Sequence, residues 1–271
     1  MSVGTTSRIA LERVRRTTTR FSDIRIDEPV ALIASYSTRT LVTRSLSALI
    51  AELERLGYAT VVIRADDELR DLEWPSDVRP RAVVSKQNVG YDFGSWAIGM
   101  HDFDQHLAND RVLLVNDSMT GPFDSLEHVV ASFESSPTDV WAVTRSLQGI
   151  PHLQSWFLGF RGGVLRDGAL RSFWRNLPLL HEKDQIIARY EMGLARLLFS
   201  EAYSMKAMVE APSVVRGMEN PSIIGWKGLL DAGVPLVKRE LVRLPSLAPD
   251  GHLVDSEILR RYNATASEWL T

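Results

Sequence analysis

The sequence predicts an α/β fold on a mostly parallel central sheet, and three observations carry that prediction. From about Pro29, short β-branched runs alternate with longer segments of helical periodicity, the pattern of successive βαβ units. The longest apolar runs, such as Val112 to Val115, are strand-sized and far short of a membrane span. The 271 residues suit one large α/β domain, and hydrophobic (45%) and charged (24%) fractions near the globular average exclude a disordered chain or a coiled coil.

Val30 to Ala34 reads as the first strand. Thr40 to Leu56 follows as a helix, because Val42, Leu46, Leu49, Ile50, Leu53 and Leu56 share one face and Gly57 stands where a helix-terminating glycine belongs. Thr60 to Ile63, Arg81 to Val84, Arg111 to Val115 and Val140 to Val143 read as the next four strands, ordered by right-handed crossovers. A long helix is expected from Lys183 to Ser200, with Ile186, Ile187, Tyr190, Leu194, Leu197 and Leu198 on its apolar side. Asn220-Pro221 then breaks the chain ahead of a last helix over Trp226 to Asp231. The chain therefore divides into a basic leader (1–28), an α/β half (29–145), a second half of the same domain (146–245) and a C-terminal extension (246–271), expected to be helical.

Lys+Arg 31 against Asp+Glu 34 gives a net charge of −3, which argues against the broad basic footprint of a nucleic-acid binder. With no cysteine, disulfides, thiolate catalysis and Cys-ligated metals are excluded, and the cytoplasm is the simplest compartment. No window suggests a transmembrane helix. Met1 to Phe21 is polar and basic (Arg8, Arg13, Arg15, Arg16, Arg20) and does not read as an export signal. Two readings stand for it: a solvated leader, or peripheral contact with the anionic inner face of the plasma membrane through a weak face of Ile9, Leu11 and Val14.

In open α/β sheets ligands bind beyond the carboxyl ends of the strands. Two unusual segments fall there. Asn88-Val89-Gly90-Tyr91-Asp92-Phe93-Gly94-Ser95-Trp96 follows the third strand and opens a helix. Its turn can bring backbone N–H groups to a nucleotide, and Asp92 either accepts from a sugar hydroxyl or only caps the helix. Asn116-Asp117-Ser118 ends the fourth strand, where Asp117 is either one carboxylate of a Mg²⁺ or Mn²⁺ site or the acceptor of an Asx turn. Beyond Ser146, Trp156, Phe157, Phe160, Phe173 and Trp174 crowd among His152, Gln154 and Arg161. They are core, or a platform on which rings stack against sugar faces while polar groups take hydroxyls. The P-loop, the G-x-G-x-x-G fingerprint, H-E-x-x-H and G-x-S-x-G are all absent. A nucleotidyltransferase would need a Gly-rich, basic phosphate loop, and Ala34-Ser35-Tyr36-Ser37 carries none.

These segments, with Gly121-Pro122-Phe123, Trp141-Ala142-Val143-Thr144, His152-Leu153-Gln154-Ser155-Trp156-Phe157, Tyr190-Glu191-x-Gly193-Leu194, Asn220-Pro221 and Lys238-Arg239-Glu240-Leu241, resemble the rhamnan synthesis protein F family in order from Val30 to Leu244. The resemblance implies a glycosyltransferase of the A-type, Rossmann-like fold, with 29–145 binding the nucleotide-sugar and 146–245 forming the acceptor and catalytic half. It implies transfer of L-rhamnose from dTDP-L-rhamnose to a cell-surface polysaccharide or lipid-linked glycan.

A more distant similarity, to the large inverting glycosyltransferase family with an N-x-G loop, a D-x-D strand end and an E-D catalytic helix, implies individual roles. Asn88 and Gly90 match the loop and Asn116-Asp117-Ser118 stands where D-x-D would; with Asp92, Lys238 and Arg239, singled out on their own chemistry, Asn88, Gly90, Asn116 and Asp117 are the donor-binding candidates, and His152, Gln154 and Trp156 of the aromatic set are the acceptor-binding candidates. Glu191, spaced from Leu194 and Tyr203 as that family's catalytic carboxylate is from its G-Y, becomes the candidate base; otherwise it is a helix-surface glutamate. Asn116-Asp117-Ser118 offers one carboxylate where D-x-D offers two, so metal need is open. Without metal, Lys238, Arg239, Arg161 or Arg145 would stabilise the leaving diphosphate, unless they are surface charges. The same incomplete motif motivates an alternative, a non-catalytic sugar-nucleotide or glycan-binding module of a polysaccharide assembly complex.

Overall fold

A computed structural model describes residues 7–180 and 182–271. Its strands are β1 (Arg16–Arg20), β2 (Val30–Tyr36), β3 (Ala59–Ala65), β4 (Ala82–Lys86), β5 (Arg111–Asn116), β6 (Met119–Thr120), β7 (Val140–Ser146), β8 (His152–Leu153), β9 (Phe157–Arg161), β10 (Met205–Glu210) and β11 (Val237–Lys238). Nine of these form one sheet in the order β1-β4-β3-β2-β5-β9-β7-β10, with β8 on β7. Strands β2 to β5 are mutually parallel and β10 is parallel to β7, while β1 lies antiparallel on β4 and β9 runs antiparallel between β5 and β7. The expected mostly parallel α/β architecture is therefore present. Because β3 and β4 extend to one side of β2 and β5 lies on the other, the strand order reverses between β2 and β5, where α/β sheets open a ligand crevice.

Alternation along each strand feeds two cores. Val30, Leu32 and Ala34 face one cluster, completed by Phe93, Trp96, Trp174, Leu194 and Leu198. Ala31 and Ile33 face the other, with Leu46, Leu49, Ile50, Leu53 and Phe133. Helix α1 (Arg44–Arg55) starts where the Thr43 hydroxyl accepts the Leu46 N–H at 3.3 Å, and it stops at Gly57 with φ +86°. Helix α2 (Tyr91–Asp102) is fixed under the sheet by Trp96, whose Nε1 donates to the Leu32 and Val115 carbonyls at 3.2 Å each. That anchor sets the start of α2 at the carboxyl ends of the strands. Helices α3 (Glu127–Glu134) and α4 (Gly168–Arg175) cover the second and first core respectively.

The long helix is interrupted. It consists of α5 (Lys183–Ile186), a π-helical turn over Ile187–Glu191 and α6 (Met192–Ser200). The wider turn shifts the apolar face, so Ile187, expected to be covered, is exposed.

The solvated-leader expectation is corrected over residues 7–28. Ile9 and Leu11 are buried, the Ile9 N–H donates to the Leu177 carbonyl at 2.9 Å, and β1 pairs with β4 from Arg16↔Lys86 to Arg20↔Ala82. Two apolar side chains and an open sheet edge suffice to order a segment too polar to show periodicity. Residues 1–6 lie outside the described residues. No described helix is long and apolar enough to cross a membrane.

The last segment, α7 (Trp226–Asp231), β11, α8 (Arg239–Arg243) and α9 (Val254–Tyr262), builds a third cluster around Trp226, Leu230, Leu241, Ile258 and Trp269 against Phe123. It is tied back to α1: the Ser45 hydroxyl donates to the Trp269 carbonyl at 2.9 Å and the Arg44 guanidinium lies 4.4 Å from the Trp269 ring centroid. The expected extension is thus packed on the sheet's carboxyl end.

Candidate functional site

The register places Ala34 opposite Asn116, so the chain leaves β2 and β5 side by side at the switch point. Ser35 and Asp117, the next residues, meet there: the Ser35 hydroxyl donates to Asp117 Oδ2 at 2.8 Å and the Tyr36 N–H at 3.3 Å. Short strand β11 pairs with β6 (Lys238↔Met119), which brings Lys238 Nζ within 2.9 Å of the Ser118 hydroxyl and Arg239 Nη1 within 3.7 Å of Asp117 Oδ1. Behind them Asn116 Nδ2 donates to Asp92 Oδ2 at 2.8 Å, and Asn116 Oδ1 accepts from the Ser118 N–H at 3.1 Å. Asp92 accepts from Asn116 and makes no side-chain cap bond to its own helix, so the plain helix-cap reading is not realised.

In front of Asp117 opens a cavity of about 810 Å³, lined by Ser35 to Arg39 on one side and by Lys238 to Glu240, Arg243 and Leu244, with Leu270 and Thr271, on the other. Its lining carries five cations, Arg39, Arg64, Lys238, Arg239 and Arg243, against the carboxylates of Asp117 and Glu240. Arg64 is only 2% exposed, and its Nη2 donates to the Ser37 and Arg39 carbonyls at 2.7 and 2.6 Å while its Nε has no partner. Nη2 of Arg239 is likewise buried and unpartnered. Each such orphaned donor costs about 1–3 kcal/mol until something accepts from it.

Burial pushes the Asp117 carboxyl above its ordinary value, while Arg239 and the Ser35 hydroxyl pull it back. Burial and the neighbouring Asp117 charge raise Asp92 to about 6, against the opposing pull of Lys238. Burial also lowers Lys86 to about 8. This lysine, at the end of β4, is fully buried and donates to the Gln87 and Val89 carbonyls at 3.0 and 2.9 Å, so it shapes the Asn88-to-Gly90 turn from beneath. At that turn Gly90 has φ +76°, and a Cβ there would stand 2.6 Å from Ile9 Cδ1. Gly90 therefore makes room for the N-terminal segment. Tyr91, next along, also has positive φ (+51°) with an exposed ring, strain of about 1–3 kcal/mol of the kind that gathers at ligand sites.

Of the expected site residues, Asp92, Asn116, Asp117, Lys238 and Arg239 come together. Asn88 is exposed on the adjoining turn, its N–H donating to Asp67 Oδ1 at 2.8 Å. Glu191 sits in the π-helical turn and does not line the cavity: its Oε1 accepts the Ser155 N–H at 2.8 Å, and the neighbouring Trp156 carbonyl accepts the Asn116 N–H at 3.2 Å. It is not simply a helix-surface glutamate.

The acceptor platform is corrected. Trp156 is 2% exposed with Nε1 donating to the Thr144 hydroxyl at 2.9 Å, His152 is buried with Nδ1 2.8 Å from the Ile150 carbonyl, and buried Gln154 bridges Thr144 and Asn220 at 2.8 and 3.1 Å. Trp156 and Gln154 spend their polar atoms internally, and the buried Trp156 presents no ring face to a sugar. Arg161 is also corrected: β9 runs antiparallel, which puts it opposite Arg111 at the amino end of the sheet, paired with Asp110 at 3.2 Å. Arg145 pairs with Glu210 at 3.4 Å.

The donor set suits Mg²⁺ or Mn²⁺ poorly. Asp117 is the carboxylate at the strand end, both its oxygens face hydrogen-bond donors or Arg239, and the described residues include no group of three or more His, Asp or Glu placed to hold a metal.

Sequence reasoning misses Ser35, Arg39, Arg64 and Arg243. The loop after the first strand lacks glycine and carries no cation of its own in its first residues, yet cations reach it from Arg39 and from β3. The readable signal is Arg64, a charge closing the apolar run Val61-Val62-Ile63 at a strand's carboxyl end.

Fold and site together define an α/β protein with a cationic ligand cavity at its switch point. The chain belongs to the rhamnan synthesis protein F family, whose model matches residues 76–254, more than half of the chain. It is similar to protein y4gN of Sinorhizobium fredii (22% identity over 239 residues, 84% of this chain and 61% of the relative) and to virulence protein VirA of Vibrio anguillarum (26% over 192 residues, 59% and 62%). The chain thus spans under two thirds of the length of these curated relatives. Among solved structures it is similar to a nucleotide-diphospho-sugar transferase candidate from Desulfovibrio desulfuricans, with 11% identity, a TM-score of 0.41, and coverage of 86% of this chain and 97% of that one.

Proposed function

We propose that this chain is a glycosyltransferase that binds a nucleoside-diphosphate sugar in the switch-point cavity and passes the sugar to a glycan or lipid-linked glycan acceptor. Membership of the rhamnan synthesis family supports L-rhamnose from dTDP-L-rhamnose as the specific donor. The observation that carries the reading is the excess of cations in a cavity beside Asp117, where a diphosphate finds both charge and donors.

The reaction is one in-line displacement. Glu191 takes the proton of the acceptor hydroxyl, that oxygen forms a bond to the anomeric carbon, and the bond from that carbon to the diphosphate oxygen breaks with its electron pair going to the leaving group. The anomeric centre inverts. Arg239 and Lys238 stand where negative charge develops on the departing diphosphate. The Ser155 N–H, donating to Glu191 Oε1, fixes the carboxylate and leaves Oε2 for the acceptor. Tyr91, exposed at the same end of the sheet, offers the ring face that Trp156 does not.

The test is turnover of dTDP-L-rhamnose by wild type and Glu191→Gln. Loss of about 10²–10⁴-fold in transfer with nucleotide binding retained supports the assignment. Full turnover by the variant removes Glu191 as base, and thymidine nucleotide binding with neither transfer nor donor hydrolysis in wild type favours the binding module.

A further inference from the structure

We infer that the cavity neutralises the diphosphate of its ligand with fixed cationic side chains, Arg239, Lys238 and the buried Arg64, in place of a divalent metal ion. This rests on the reading that the ligand is a nucleoside-diphosphate sugar, and goes beyond it in stating how the charge is met.

The first ground is the state of Asp117. A Mg²⁺ or Mn²⁺ held at this strand end would need its carboxylate, but Oδ2 already takes the Ser35 hydroxyl and the Tyr36 N–H, and Oδ1 faces the Arg239 guanidinium 3.7 Å away. A metal ion there would sit against a guanidinium with one carboxylate between them. Asp92 cannot make up the deficit, since it is committed to the Asn116 amide and is not part of the cavity wall.

The second ground is independent. Arg64 is almost wholly removed from solvent, its Nη2 holds the Ser37 and Arg39 carbonyls, and its Nε points to no acceptor although the residue lines the cavity. Arg239 brings a second buried, unpartnered nitrogen to the same wall. Buried donors without acceptors are costly, and these two belong to residues of the cavity wall beyond the carboxyl ends of the strands, where phosphate oxygens would supply acceptors. A guanidinium kept charged in such a place, with carbonyls for partners, fits an anionic visitor.

The Arg239–Asp117 contact then has a definite role. Asp117 holds Arg239 in place in the empty cavity and competes with the ligand for it, so removing the carboxylate charge frees the cation for phosphate. A metal-bridged site makes the opposite demand, because there Asp117 is indispensable.

Calorimetric titration of the full chain with dTDP, in EDTA and in MgCl₂ or MnCl₂, separates the two. The expected result is equal affinity in EDTA and in metal, equal or tighter binding by Asp117→Asn, and a loss of about 10-fold or more on Arg239→Gln, the scale of one charge-assisted hydrogen bond. Lys238→Met gives a second, independent loss if Arg239→Gln folds poorly. Binding that requires metal and vanishes in Asp117→Asn overturns the inference while leaving the nucleotide reading intact. Absence of dTDP, UDP and GDP binding under both conditions overturns the nucleotide reading itself.

Discussion

The two ends of the sheet both carry charged side chains and use them differently. At the amino end Arg81 pairs with Glu28 and Glu54 at 3.1 Å each, Arg111 with Glu134 at 2.6 Å and Arg161 with Asp110 at 3.2 Å. At the carboxyl end Arg64 is held by carbonyls alone, Lys86 likewise, and two arginine nitrogens have no partner. Arginines at the amino end meet carboxylates; the carboxyl end has the Arg239–Asp117 and Arg145–Glu210 pairs as well, but it also holds a buried arginine and a buried lysine hydrogen-bonded only to carbonyls. In the proposed reading, the anionic groups of a ligand meet that charge.

The comparison is sharpened by breaking each end in turn. Trp156→Ala is expected to have the largest effect on stability, about 3–5 kcal/mol in chemical denaturation, because this 2%-exposed ring is core beneath the site and not a sugar platform. A small stability loss accompanied by weaker acceptor binding would restore the platform.

Asp92→Asn comes next and carries a sign. With an ordinary value of 3.8 raised to about 6, the folded chain holds this proton longer than the unfolded chain does. The raised value favours folding fully below about pH 4, and that contribution disappears as pH climbs through about 6, up to about 3 kcal/mol in all. The amide introduced by the substitution would still accept from Asn116 without ionising, so the stability gap between variant and wild type should widen in the variant's favour from about pH 4 to 6 and then level off, as read from denaturation midpoints across pH. A gap independent of pH would mean that Asp92 is ionised normally.

Arg64→Met should weaken dTDP binding by about 10-fold or more and change stability less, since the variant removes the desolvation cost of a buried charge together with its two bonds to carbonyls. Arg161→Met at the opposite end should leave dTDP binding unchanged and cost about 1–3 kcal/mol, since it loses the bonds from Nη1 to the Glu134 and Ser136 carbonyls together with the exposed Asp110 bridge.

Much of the fold was legible because it depends on periodicity. The strands from Val30, Ala59, Ala82, Arg111 and Val140, helix α1 and its Gly57 stop all follow from apolar spacing and turn chemistry. The N-terminal segment was not legible, because Ile9 meets Gly90 and the Leu177 carbonyl, and Arg16–Arg20 pair with the edge of β4, all far along the chain. Of the site, the Asn116-Asp117-Ser118 strand end, Asp92 and the Lys238-Arg239 pair were found from residue type and position. That Lys238 and Arg239 stand beside Asp117 follows from β11 pairing with β6, a tertiary event no local pattern encodes. Trp156 and Gln154 show the reverse: aromatic and amide side chains look alike in sequence whether they stack on a sugar or on the core, and only the Thr144 hydroxyl and Asn220 decide it here.

The most direct measurement is thermal unfolding of wild type, Arg239→Gln and Arg161→Met with increasing dTDP, because a ligand of the folded state raises stability by RT ln(1 + [L]/Kd). The account expects a rising midpoint for wild type and Arg161→Met and a much smaller rise for Arg239→Gln. Equal shifts in all three, or a loss confined to Arg161→Met, would contradict the assignment of the nucleotide to the carboxyl end of the sheet.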